Sequence, residues 1–132
     1  MKYLLDTHAW VWWHSAPQLL SARARMLIAK VGLQDSLLLA SISLWEFAKL
    51  LEKKRIIIAC EPDAWFREAL DMPRLQVVSL SARIALSSVR LPGAFHDDPA
   101  DQIIVATARE EGATIITKDQ RILEYKHVKS AW

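Results

Sequence analysis

Short apolar runs alternate along the chain with longer stretches in which apolar positions recur every three or four residues. The runs Tyr3 to Leu5, Leu37 to Ala40, Leu75 to Leu80 and Ala113 to Thr117 are too short for helices and too continuous for one-sided strands, which predicts buried strands. Between them the period changes. Ser21 caps a predicted helix to about Val31, stopped by Gly32, and Ser41 or Ser43 opens another with Leu44, Phe47, Ala48 and Leu51 on one face. Pro62 and Asp63 start a helix through Leu70, and Ser81 caps one to about Val89. The stretch from His96 to Ala108 reads as a turn breaking into a helix, with Asp98 as cap, Pro99 in the first turn and Ile103, Ile104, Val105 and Ala108 behind it. A short helix from Asp119 and a last strand near Val128 complete the pattern.

Such alternation predicts one α/β domain over residues 1–132, a three-layer α/β/α sandwich with a mainly parallel central sheet. In such folds the functional crevice lies beyond the carboxyl ends of the strands, and that rule singles out acids. Asp6 ends the first strand, Glu46 lies about one turn into the helix after the second, Asp101 opens the helix after Pro99, and Asp119 follows the run ending at Thr117. Carboxylates brought to about 6 Å apart at an effective dielectric near 20 repel by roughly 3 kcal/mol per pair. Without cations such a cluster protonates or splays; with one or two Mg²⁺ or Mn²⁺ ions the same oxygens form a hard site that needs neither histidine nor thiolate.

Composition narrows the picture only a little. With 52% hydrophobic and 24% charged residues, the chain is an ordinary globule able to bury a sizeable core. A net charge of +2 neither announces nor excludes a nucleic-acid partner. The single Cys60 excludes an internal disulfide, which fits a reducing compartment and sets the expectation of a cytoplasmic protein. No apolar span reaches the roughly 20 residues of a membrane crossing, so no membrane association is expected.

Four motifs in order carry a family resemblance: LLDTHA at the start, Ser43-Leu44-Trp45-Glu46, DPADQIIVATA, and Thr117-Lys118-Asp119. Together they resemble PIN domains, and their order and spacing are similar to the toxin ribonucleases of VapBC-type toxin–antitoxin modules. The resemblance implies a Mg²⁺- or Mn²⁺-dependent endoribonuclease with RNA as substrate and a cognate antitoxin as partner, assembled as a homodimer within larger toxin–antitoxin complexes. It makes Asp6, Glu46, Asp101 and Asp119 the catalytic, metal-holding acids, with Asp98 a candidate fifth and Thr117 a supporting hydroxyl. The implied reaction is hydrolysis by water, not attack by the ribose 2′-hydroxyl, so it leaves a 5′-phosphate and a 3′-hydroxyl. One departure is Gln102, where many relatives carry arginine, which leaves Asp101 without an evident electrostatic partner.

Lys49, Lys53, Lys54 and Arg55 near the Glu46 helix, and Lys118 and Arg121 beside Asp119, are candidates for holding an RNA backbone. Each assignment has a plainer rival. Asp6 can simply end a strand, Glu46 can pair with Lys49 or Lys53, Asp98 and Asp119 can be helix caps, and Asp101 can be the reciprocal member of a capping box. The lysine and arginine run from 53 to 55 can be a solvated helix end. His8, His14, His96 and His127 show no ligand spacing and are assigned structural or surface roles. Most of the six tryptophans are expected in the core, with Trp10 and Trp13 on one helical face and Trp12 on another; an interface near the strand ends is the rival. Two alternatives to a nuclease remain open: a phospho-accepting receiver domain, in which Lys118 imitates the receiver lysine, and a catalytically silent PIN-like module that binds RNA or protein.

Overall fold

A computed structural model describes residues 1–132. Five strands, β1 (Lys2–Leu5), β2 (Ser36–Ala40), β3 (Leu75–Val78), β4 (Thr114–Ile116) and β5 (Ser130–Ala131), form one sheet in the order β3-β2-β1-β4-β5. Every pairing is parallel. The helices are α1 (Thr7–Ser15), α2 (Ala22–Ala29), α3 (Ile42–Glu52), α4 (Pro62–Leu70), α5 (Ala82–Ser88), α6 (Pro99–Glu111) and α7 (Gln120–Leu123). They cover both faces, so the strands are buried on two sides and read as continuous apolar runs.

Register sorts the side chains between two cores. Leu5 pairs with Leu39 and Ile116, and this row faces a core of 14 buried residues beneath α1 to α4. The alternate row, Leu4 with Leu38 and Ile115, faces a core of 10 built mainly with α6 and α7. The period of two along a strand makes that division automatic.

Local signals explain most helix ends. Ser21, Ser81, Asp98 and Asp119 each accept a backbone N–H in the first turn of the following helix, and Gly112 closes α6 in the left-handed region at φ 65°. Ser41 occupies the cap position of α3, as expected, but its side chain does not cap: the Ser41 hydroxyl accepts from Leu80 N–H, and Ser43 Oγ accepts from the Thr7 hydroxyl. Most tryptophans lie in the larger core or against it. Trp10 and Trp65 are fully buried, Trp12, Trp13 and Trp132 are half-buried, and Trp45 is exposed. The last strand also begins two residues beyond Val128, and β3 stops at Val78.

The aromatic centre of the larger core is tightly fixed. Phe47 stacks on Trp65 at 3.9 Å between ring centroids, and Trp10 meets Trp65 edge-on at 5.0 Å. Both buried indoles are satisfied, Trp10 Nε1 donating to Ala69 O at 3.1 Å and Trp65 Nε1 to Ser15 Oγ at 2.7 Å. This core anchors α1 and α3, which begin at the carboxyl ends of β1 and β2.

Candidate metal centre

The chain leaves β1 toward one edge of the sheet and returns through α6 to lay β4 on the other side of β1. The switch point therefore lies at the carboxyl ends of β1 and β4. Asp6 follows β1 directly and caps α1, its Oδ1 accepting Thr7 N–H at 2.8 Å. Thr117 follows β4 and donates its hydroxyl to Asp6 Oδ2 at 2.6 Å, while its Oγ1 accepts Asp119 N–H at 3.0 Å. Thr117 thus ties the two strand ends together.

A cavity of about 560 Å³ opens at this point, and Asp6, Glu46, Asp98, Asp101 and Asp119 all line it. Within it, one carboxylate oxygen each from Glu46, Asp98 and Asp101 lie within 4.8 Å of one another. The tightest grouping therefore includes Asp98, with Asp6 and Asp119 on the same wall. Asp98 also caps α6, accepting Asp101 N–H at 3.0 Å, so cap and candidate ligand are one residue. Asp101 is not the reciprocal half of a capping box; its carboxylate faces His96 and Arg121. Glu46 does not pair with a lysine of its own helix, because Lys49 reaches Glu52 instead at 3.4 Å.

The crowding appears in the proton affinities. Burial, followed by the charges of Asp6, Asp98, Asp119 and Glu46, pushes Asp101 up to about 8. Burial also raises Asp6, against the opposing Thr117 and Thr7 hydrogen bonds. Burial raises Glu46 as well, helped by the Asp6 and Asp98 charges. Asp119 behaves differently: burial pushes it up, but hydrogen bonds and charge from Arg121 bring it below the ordinary carboxylate range.

These groups fit a hard divalent cation. The donors are all carboxylate oxygens, the hard ligands such an ion takes, and those of Glu46, Asp98 and Asp101 approach to within 4.8 Å of one another. A cation would also offset the burial and the neighbouring charges that together hold a proton on Asp101.

Sequence reasoning missed two neighbours of Asp101. His96 Nε2 lies 3.2 Å from Asp101 Oδ2, buried and out of hydrogen-bond alignment, while its Nδ1 accepts Asp98 N–H at 3.4 Å. His96 is thus part of the site and not a surface residue. Arg121 Nη2 lies 3.5 Å from Asp101 and 3.3 Å from Asp119, supplying the positive charge that Gln102 does not; Gln102 instead donates to the His96 carbonyl. Of the predicted basic residues, Arg55, Lys118 and Arg121 line the acid cavity. Lys49 and Lys53 line the adjoining recess, and Lys54, at φ 57°, lines neither. The aromatic segment reaches the site through Trp12, which lines the cavity with Lys118 Nζ 5.9 Å from its ring centre.

The family model of the PIN domain matches residues 3–128. The chain belongs to the PIN domain family. This PIN domain is 37% identical over 124 residues to Ribonuclease VapC22 of Mycobacterium tuberculosis, a match covering 94% of this chain and 92% of that protein. Its fold is shared by VapBC2 from Rickettsia felis, solved bound to a DNA fragment from the promoter, with a TM-score of 0.71, 18% identity and coverage of 99% of this chain and 98% of that one. DNA-bound VapBC from Salmonella typhimurium gives a TM-score of 0.71 at 17% identity, with 99% and 97% covered. Membership of the PIN family leaves the receiver alternative without support. No helix is long and apolar enough to cross a membrane.

Proposed function

We propose that this PIN domain is an endoribonuclease that hydrolyses RNA phosphodiester bonds at the acid cavity with Mg²⁺ or Mn²⁺, one or two ions, and that it acts as the toxin of a toxin–antitoxin pair. The observation that carries this is the approach of the Glu46, Asp98 and Asp101 oxygens to within 4.8 Å on a cavity that Asp6 and Asp119 also line. The similarity to a protein named as a ribonuclease supports the reaction class.

In this reading Asp6, Glu46, Asp101 and Asp119, with Asp98, hold the metal. A bound divalent cation supplies Lewis acidity at the phosphate and makes a neighbouring water easier to deprotonate. The protein's own groups do the rest. Thr117 fixes both Asp6 and the turn to Asp119, so these carboxylates do not reorganise during the reaction. Arg55 and Lys118 at the cavity wall meet the RNA phosphates, and Arg121 keeps Asp119 ionised. An antitoxin partner is inferred from the VapBC complexes that share the fold, and a homodimer, larger toxin–antitoxin assemblies and a cytoplasmic location belong to the same reading.

The test is incubation of mixed RNA with the purified protein in Mg²⁺ or Mn²⁺, with EDTA and Asp101→Asn as controls. Cleavage that leaves 5′-phosphate ends, stops with EDTA and falls at least about 100-fold in the variant supports the reading. RNA left intact in both metals points to a silent binding module.

A further inference from the structure

A second cavity, of about 350 Å³, lies beside the acid cavity, between the loop before α6 and the segment after α7. The two share a wall. Arg121 lines both, and His96, which lines the second, places Nε2 3.2 Å from Asp101. A third recess, of about 230 Å³, continues from the acids along α3 and carries Lys49 and Lys53; it shares Glu46, Arg55 and Asp98 with the acid cavity. Three recesses therefore adjoin, with the acids in the middle one.

The outer two differ in chemistry. The recess along α3 gathers Lys49, Lys53 and Arg55, which suit a phosphate chain, and its one ring, the exposed Trp45, has Lys49 Nζ 5.9 Å from its centre. The cavity beyond Arg121 is walled by flat rings: Phe95 lies 4.8 Å from Tyr125, and Tyr125 lies 5.4 Å from His127, between centroids. These rings are held in place. The Tyr125 hydroxyl donates to the Pro92 carbonyl, and the Arg109 guanidinium donates to the His127 carbonyl. Gly93 stands at φ 66°, and a Cβ there would lie 3.2 Å from the His127 ring, so the backbone approaches the ring as only glycine allows without a shift. Lys126, Arg121 and Glu124 supply donors and an acceptor around them. Fixed rings with cations and one carboxylate suit a nucleotide: stacking of a base on an aromatic face is worth about 1–3 kcal/mol, and side-chain donors and acceptors discriminate among base edges.

We propose that the cavity formed by Phe95, Tyr125, Lys126 and His127 seats the nucleotide adjoining the scissile phosphate and selects the RNA sequence that is cut. This rests on the nuclease reading for its place in the reaction, while nucleotide binding there does not. The recess along α3 holds the strand on the other side through its phosphates.

Two measurements test it. In the first, the intact protein in EDTA is titrated with each of the four nucleoside 5′-monophosphates while the ring resonances of His127 and His96 are followed by NMR. One nucleotide shifts His127 at lower concentration than the other three, and Lys126→Ala weakens that nucleotide about tenfold, or about 1.4 kcal/mol. Lys126 is exposed, so its truncation leaves the fold intact. An unperturbed His127, or four indistinguishable titrations, overturns the proposal. In the second, cut sites are mapped on a random RNA pool in Mn²⁺. Lys126→Ala and His127→Ala flatten the base preference beside the cut, whereas Lys53→Ala lowers cleavage at all sites alike. Unchanged preference in both cavity variants overturns the nucleotide site and leaves the nuclease standing. A native protein that cuts nothing overturns the nuclease reading, and the titration still decides the cavity.

Discussion

Asp6 and Trp10 lie one turn apart, at the cap and in the first turns of α1, and their surroundings are opposites. Trp10 is wholly enclosed by Phe47 and Trp65, and its indole N–H has a carbonyl partner. Asp6 is also buried, but on the wall of a cavity and among carboxylates that raise one another's proton affinity. Phe47 and Glu46 repeat the contrast as neighbours on α3. One side of the sheet is saturated in itself, and the carboxyl end gathers acids that crowd one another. Sequences depart from self-consistency where function requires it, and here the departure is confined to one cavity.

The contrast breaks most severely from the saturated side. Trp10→Ala should cost about 3–5 kcal/mol in urea unfolding, since it empties the space between Phe47 and Trp65 and frees the Ala69 carbonyl. A loss below about 1 kcal/mol would mean that this core does not anchor α1.

The next effect belongs to the acids. Asp101 is pushed from 3.8 to about 8 by burial and then by its neighbours, so the folded chain retains a proton that the unfolded chain releases. The stability linked to that proton is complete below about pH 4 and is lost as pH rises toward about 8. Asp6 and Glu46 shift in the same sense, Asp119 in the other. In EDTA the melting temperature should therefore fall by about 5 °C or more across that window, and Mn²⁺ should restore most at the alkaline end. A melting temperature that climbs with pH in EDTA would contradict the crowding.

Smaller changes sharpen the boundary between the two regions. Thr117→Val removes the hydroxyl that bridges Asp6 and the Asp119 turn, at an expected cost of about 1–2 kcal/mol in unfolding and roughly tenfold in RNA cleavage. Lys49→Ala removes only an exposed pair with Glu52 and a 5.9 Å contact with the Trp45 ring, and its unfolding free energy should stay within about 0.5 kcal/mol of the parent. A larger loss would mean that this surface pair helps to hold α3.

The parts of this molecule legible in its sequence are those decided by near neighbours. Ser21, Ser81 and Asp98 mark their helices because a cap needs only the N–H groups two or three residues on. Pro62 opens α4 and Gly112 closes α6 for equally local reasons. Asp6 and Thr117 could be nominated from strand ends, but their hydrogen bond joins residues 111 positions apart, which no spacing rule expresses. Ser41 stands at the cap of α3, yet where its hydroxyl and that of Ser43 bond is set across the fold, by Leu80 and Thr7. His96 has no ligand spacing in the sequence to mark it, and the turn before α6 folds it back onto Asp101. Arg121 was visible as a cation beside Asp119; that it also serves Asp101 depends on α6 and α7 meeting at one rim.

Manganese binding, followed by electron paramagnetic resonance of the free ion, tests the central claim most directly. The account predicts saturable Mn²⁺ uptake by the native protein that tightens as pH rises toward about 8, where the Asp101 proton leaves, and that is lost in Asp101→Asn and in Glu46→Gln. Mn²⁺ that stays free beside the native protein at pH 8, or binds equally well to both variants, would contradict it.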